Sequence, residues 1–120
     1  MHICLKRKVK VFIMGIIENN TVLNVMPVGF DNRLSRKALI GICGLSDRQV
    51  RKAIEDIVES KQAIIINMHK GYFIPNLENK TDRDYYRLFI SQEESRINKL
   101  NKKMKSYNKM SEKILSDLNE

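Results

Sequence analysis

Residues 36–58 read Arg-Lys-Ala-Leu-Ile-Gly-Ile-Cys-Gly-Leu-Ser-Asp-Arg-Gln-Val-Arg-Lys-Ala-Ile-Glu-Asp-Ile-Val, and this stretch decides the fold. Ser35 is a suitable N-cap for a helix from Arg36 to about Cys43, with Ala38, Leu39, Ile42 and Cys43 forming its buried stripe. Gly44 stands where a helix C-terminal glycine belongs. Ser46 then caps a second helix, in which Val50, Ala53, Ile54, Ile57 and Val58 fall at i, i+3, i+4, i+7 spacing. Two helices joined by a short turn containing glycine form a helix-turn-helix, whose second helix presents its N-terminal residues to the major groove of DNA.

The second helix is electrically asymmetric. Arg48, Arg51 and Lys52 occupy its first turns, where the helix dipole favours acids, so an external anion is the expected partner. Arg48 and Lys52 point nearly opposite the apolar stripe, with Gln49 and Arg51 on its flanks. Glu55, Asp56 and Glu59 make the later turns acidic, so a helix entering a groove by its N-terminus carries the acids away from phosphates. The ordinary alternative is a solvated helix with Arg51–Glu55 and Lys52–Asp56 pairs, but these run in the less favourable i, i+4 orientation. Gln49 suits adenine and an arginine suits guanine. Arg36, Lys37 and Ser46 complete the expected contacts of the two helices.

Downstream, Ala63-Ile64-Ile65-Ile66 and Tyr72-Phe73-Ile74 are short β-branched and aromatic runs around Asn67-Met68-His69-Lys70-Gly71. They predict a β-hairpin with His69 and Lys70 at its tip, and with Gly71 at a positive φ near its closing end. A hairpin directly after a helix-turn-helix is a wing, and its tip is placed for phosphate or the minor groove. His69 has no Cys, carboxylate or second His at ligand spacing, so no metal site is expected.

Upstream, Thr21 to Val28 reads as the first helix of a trihelical core, ended by Pro27 and Gly29, with Phe30 to Leu34 as a loop. Residues 1–18 read as an N-terminal extension, either a strand or weakly ordered. Lys6-Arg7-Lys8 before Val9 to Ile17 has the outline of a signal peptide, but Lys10 interrupts the apolar run and no small-residue cleavage site follows. The domain therefore spans residues 19–78, leaving 79–120 as a C-terminal helical region.

That region has neither Gly nor Pro from Thr81 onward, and Thr81-Asp82-Arg83-Asp84 resembles a capped helix start. Ile90, Ile97, Leu100, Met104, Tyr107, Ile114 and Leu118 fall on one a/d-type seam, broken at Glu93 and Ser111. A helix over 81–118 is about 55 Å long, more than a small domain covers, so a homodimer is expected through this seam. Glu93 lies on the seam and is expected to pair with an arginine from the core or from another chain.

Composition narrows the partner. In 120 residues, 22 Lys and Arg against 14 Asp and Glu give a net charge of +8, spread along the whole chain. The isoelectric point of about 9.6 points to an anionic partner. Cys4 and Cys43 are lone thiols without C-x-x-C spacing, which indicates a reducing, cytoplasmic compartment and no disulfide. No phosphate loop, nucleophile–base set or metal cluster is evident, so no enzyme, cofactor, membrane or small-molecule substrate is expected.

Three stretches together carry a family resemblance: Leu45-Ser46-Asp47-Arg48-Gln49-Val50-Arg51-Lys52-Ala53-Ile54, Lys70-Gly71-Tyr72-Phe73-Ile74-Pro75 and Gln92-Glu93-Glu94-Ser95-Arg96. Over about residues 20–107 the chain resembles winged helix-turn-helix proteins of bacteriophages and prophages, many of them known as predicted DNA-binding proteins. Its hairpin also resembles the wing of the biotin-repressor DNA-binding domain. Ile40 departs from the small residue that many helix-turn-helix units carry there. The expected fold is thus α+β, a winged helix-turn-helix domain followed by a long C-terminal helical region. The expected function is sequence-specific binding of double-stranded DNA, as a phage or mobile-element transcriptional regulator or a replication-origin factor. The alternative is a winged-helix protein-interaction module that docks through its C-terminal helix.

Overall fold

A computed structural model describes residues 2–119, excluding the side chains of residues 2–8 and of Val11. The fold is α+β and mostly helical, with a small two-stranded antiparallel sheet and a long C-terminal helix. In chain order the elements are α1 (His2–Val25), a 3₁₀ turn (Phe30–Asn32), α2 (Arg36–Cys43), α3 (Asp47–Glu59), β1 (Ile66–Met68), β2 (Gly71–Phe73) and α4 (Lys80–Leu118). The chain divides into two compact units, residues 1–86 and 87–120.

Local caps fix α2 and α3 where the sequence predicts them. The Ser35 hydroxyl accepts from the Ala38 N–H, and Gly44 ends α2 at φ 66°, the left-handed conformation that glycine adopts without a Cβ clash. At α3 the cap is reciprocal: Ser46 Oγ accepts from the Gln49 N–H at 3.1 Å, and Gln49 Oε1 accepts from the Ser46 N–H at 2.8 Å. This capping box satisfies two backbone donors that a helix start leaves without partners.

The core is built where α3 packs on both α1 and α2. Val22 of α1 and Met26 just after it, Leu39 of α2, and Val50, Ala53 and Ile57 of α3 are buried together with Ile65. Of the stripe expected on α2, Leu39 is buried and Ala38 and Cys43 are half-buried, but Ile42 is exposed and Ile40 packs inward in its place. On α3, Ile54 is half-buried and Val58 is exposed.

The N-terminal expectation changes. α1 is one helix running across the boundary expected at residue 18, rather than a strand or loose leader joined to a shorter helix. Helix ends need a stop signal, and charged Lys10 and Glu18 are compatible with a helix interior. The stop arrives at Val25, ahead of Pro27, as expected.

The hairpin forms in the register Ile66↔Phe73, Asn67↔Tyr72, Met68↔Gly71, three residues shorter at its start than the sequence suggests. Tyr72 turns its polar backbone to the other edge. Its N–H donates to the Leu34 carbonyl at 2.8 Å and its carbonyl accepts from the Leu34 N–H at 3.0 Å. Alternate residues of an antiparallel strand face opposite edges, so Leu34 gives β2 a one-residue second neighbour. A further bridge joins Val28, expected in the first helix, to Ile74, so the chain meets the hairpin strand on both sides of the 3₁₀ turn.

The turn corrects the expectation for Gly71. The positive φ values fall on His69 (49°) and Lys70 (60°), the two central residues, as a two-residue hairpin turn of the primed type requires. Glycine at 71 answers a different constraint. A Cβ there lies 2.4–2.7 Å from Cβ, Cγ and Cδ of Arg33, so the Arg33 stem occupies the space a side chain needs.

Asp82 fastens the start of α4 to this region. Its buried carboxylate, 5% exposed, accepts from the Asn76 N–H at 2.8 Å and the Phe30 N–H at 3.4 Å. The cap of α4 is Asn79 rather than Thr81: Asn79 Oδ1 accepts from the N–H groups of Thr81 and Asp82. From residue 87 onward, α4 is a solvent-facing helix within its own unit.

Candidate nucleic-acid interface

Two sets of contacts hold cationic side chains, one at the hairpin turn and one between α2 and α3. Arg33 lies with its guanidinium carbon 4.0 Å from the Phe30 ring centroid, donates from Nε to the His69 carbonyl at 3.4 Å, and donates from Nη1 to the Phe30 carbonyl at 3.2 Å. It is thereby fixed against the turn that carries Lys70. Three residues later, Arg36 begins α2 and pairs through Nε with Asp47 Oδ1 at 2.7 Å. Asp47 begins α3, and its second oxygen pairs with Arg51 Nε at 3.1 Å. One arginine thus braces the hairpin turn, and a separate pair of arginines around one carboxylate joins α2 to α3.

An aromatic cluster packs beside Arg33 at the hairpin turn. Phe30 and Tyr85 stack with centroids 4.2 Å apart, and His69 stands edge-on to both, at 5.6 and 5.8 Å. Phe73 closes the group, edge-on to Phe30 at 5.7 Å. Offset-stacked and T-shaped pairs of this kind each add about 0.5–1.5 kcal/mol beyond burial. The His69 ring packs edge-on against its aromatic neighbours while His69, like Lys70, is exposed at the tip.

Each residue expected at the interface now has a place. Arg48 and Lys52 are exposed on α3, and Lys37 on α2; none forms an ion pair among the described residues. Arg36 and Arg51 are exposed but joined through Asp47, in place of the Arg51–Glu55 pairing considered from sequence. Asp47 precedes Arg51 by four residues, the order that complements the helix dipole. Ser46 Oγ is an acceptor in the cap, which leaves its O–H as a donor.

Gln49 has a structural task that the expected contact did not include. Its carbonyl oxygen caps the Ser46 N–H and its Nε2 donates to Glu18 Oε1 of α1 at 2.9 Å. Each end of the amide makes one hydrogen bond inside the fold, which leaves one Oε1 lone pair and one Nε2 hydrogen for a further partner. The two bonds tie the start of α3 to α1. The Ser-x-x-Gln spacing of Ser46 and Gln49 carries that signal in the sequence. Arg33 and Asp47 are further site residues that the sequence reading left out. Asp47–Arg51 spacing is legible as an i, i+4 pair, whereas nothing local marks Arg33.

Other groups separate from this face. Within the chain, Glu93 pairs with Arg96 of its own helix at 2.7 Å rather than with an arginine of the core. Cys43 is half-buried, and burial raises its thiol pKa, which disfavours a reactive thiolate. Cys4 lies outside the described side chains. Between α1 and α3 runs an open groove of about 770 Å³ lined by Phe12, Met14, Ile16, Glu18, Lys52 and Asp56 among others. Among the described residues there is no group of three or more His, Cys, Asp or Glu placed to hold a metal ion. No helix of the described residues is long and apolar enough to cross a membrane.

No protein-family model matches the chain, and no curated protein or solved structure is significantly similar to it.

Proposed function

We propose that the chain is a winged helix-turn-helix protein of the bacteriophage or prophage type that binds double-stranded DNA with sequence preference. In this reading α2 and α3 are the helix-turn-helix, the β1–β2 hairpin is the wing, and the protein serves as a transcriptional regulator or replication-origin factor of a mobile element. The carrying observation is that Asp47 joins Arg36 of α2 to Arg51 of α3, beside the exposed Arg48 and Lys52. Arg33, three residues before Arg36, is braced on the turn that carries Lys70, and the acids Glu55, Asp56 and Glu59 follow in the later turns of α3. Backbone strain at the turn supports the same reading. Asn-Gly satisfies a primed turn cheaply, yet His69 and Lys70 hold positive φ there, at about 1–3 kcal/mol each, and strain of this kind gathers at functional sites.

Arg48 and Arg51 are assigned to base edges, and Arg33, Arg36, Lys37, Lys52 and Lys70 to phosphates, with Ser46 as an auxiliary donor. Neutralising about five phosphates per protomer gives a slope of about −4 to −5 in log affinity against log salt. Anisotropy of labelled duplex DNA across a salt series tests this. Salt-independent binding, or binding unchanged in an Arg48→Ala, Arg51→Ala, Lys52→Ala variant that remains folded, removes the assignment.

Dimerisation through α4 completes the proposal. Ile97, Leu100, Met104, Tyr107, Ile114 and Leu118 are all exposed in the single chain, as is Ile90 at the start of the seam. A stripe of that composition invites pairing with a second copy, and two-fold pairing gives two DNA-binding heads for an inverted repeat. The same stripe supports the protein-interaction reading if the partner is a different chain.

A further inference from the structure

Resting on the DNA-binding reading, we propose that Asp47 is a positioning residue: it orients Arg36 and Arg51 together and so makes binding selective for a target sequence. Each carboxylate oxygen holds one arginine through its Nε, at 2.7 Å for Arg36 and 3.1 Å for Arg51. A guanidinium has five N–H donors in a rigid fork, so pairing at Nε leaves Nη donors for guanine O6 and N7 or for a phosphate. The three side chains remain between 42% and 59% exposed, and ion pairs at that exposure contribute little to stability. Stability therefore does not account for the arrangement. Its consequence is geometric. Arg36 opens α2 and Arg51 lies one turn into α3, so the carboxylate sets the spacing and direction of two forks carried by different helices.

The position of the acid sharpens the argument. A carboxylate amid cations on a DNA-facing surface repels every phosphate, whatever the sequence. If Asp47 were only an unfavourable charge, its removal would tighten binding to all DNA. If it positions the arginines, removal frees two flexible cations that find phosphates anywhere, while Arg51 loses the fixed direction in which it meets a base edge. Affinity for arbitrary DNA then rises while affinity for the target falls, because phosphate contacts carry no sequence information and base contacts do. These two effects have opposite signs.

The test uses the full chain, the tightest duplex recovered by selection from a random pool, and a scrambled duplex of the same length and composition. For Asp47→Asn the expected result is a fall of about tenfold in target affinity with a rise of about two- to fivefold for the scrambled duplex, in line with the loss of one good base contact. Asp47→Glu, which keeps both oxygens, should retain most of the parent's discrimination. Tighter binding of Asp47→Asn to both duplexes with the ratio preserved would show simple repulsion and overturn the inference while leaving DNA binding intact. Equal weakening on both duplexes with a lowered thermal midpoint would make Asp47 a structural residue and overturn it likewise. A parent that binds neither duplex, and yields no selected sequence, removes the DNA reading and this inference together.

Discussion

α3 and the distal part of α4 carry the same kind of apolar periodicity and meet opposite fates. On α3, Val50, Ala53 and Ile57 are at most 1% exposed and lie in the core with α1 and α2. On α4, Ile97, Leu100, Met104 and Tyr107 are 48–60% exposed. A stripe at helical spacing states that a helix wants a partner; it does not state that the partner is in the same chain. In α3 the stripe holds the fold together and leaves the opposite face in solvent. In α4 the stripe is itself the surface on offer.

The sharpest way to break this contrast is to truncate one residue from each helix. Ile57→Ala should lower unfolding free energy by about 2–5 kcal/mol, the usual cost of a cavity at a buried aliphatic site. Leu100→Ala, read at concentrations where the chain is monomeric, should stay within about 0.5 kcal/mol of the parent. Urea unfolding of both variants checks the pair, and equal losses would erase the distinction between the two stripes. At higher concentration the second helix should show its own effect. Sedimentation should find the parent associating at micromolar levels, roughly −8 kcal/mol, and a Leu100→Asp, Met104→Asp variant monomeric.

How much of this was legible depended on how local each cause is. Ser35, Gly44 and Ser46 fix the bounds of α2 and α3 through contacts within four residues, and the sequence shows them. The hairpin was legible as an element but not in register, because Ala63 to Ile65 have the same β-forming character as Ile66 and Ile65 is drawn into the core instead. Gly71 was read through its own backbone, whereas its constraint comes from Arg33, a residue distant in sequence. The division expected after residue 78 falls after Tyr86 because Asp82 and Tyr85 bind the first turns of α4 to the Phe30 turn. Gln49 was read by its outward position alone, and its engagement with Glu18 depends on where α1 lies.

Smaller effects refine the comparison within the ligand-facing part. Gly71→Ala should destabilise by about 1–3 kcal/mol, as overpacking does, and the loss should shrink in an Arg33→Ala background, where Cγ and Cδ are gone and only the Cβ contact at 2.7 Å remains. Additive losses in the thermal midpoints of the single and double variants would refute the close approach. At the next position the sign reverses. Lys70→Gly should stabilise the hairpin by about 1 kcal/mol by relieving a positive φ, yet weaken DNA binding and make the salt slope shallower by about one unit. A gain in stability with no loss of affinity would leave the strained turn without a function.

Cys43 gives the smallest effect. Burial raises its thiol pKa above the ordinary 9.0, so its contribution is fully present below that pH and is lost as pH rises through the higher folded value. Parent and Cys43→Ala should therefore keep a constant difference in urea midpoint at neutral pH and converge or cross above pH 9. A difference unchanged across that range would place the thiol in an environment like water.

The central claim is that the first turns of α3 and the hairpin tip bind duplex DNA as one surface. The direct measurement is selection of bound sites from a random duplex pool with the full chain, followed by anisotropy of the recovered sequence against its scramble over a salt series. The account predicts an enriched motif, preferred by about 10³-fold or more over the scramble, with affinity falling steeply as salt rises. No enrichment, with no salt-dependent binding to any duplex, would contradict it and leave the exposed helices as surfaces for protein partners.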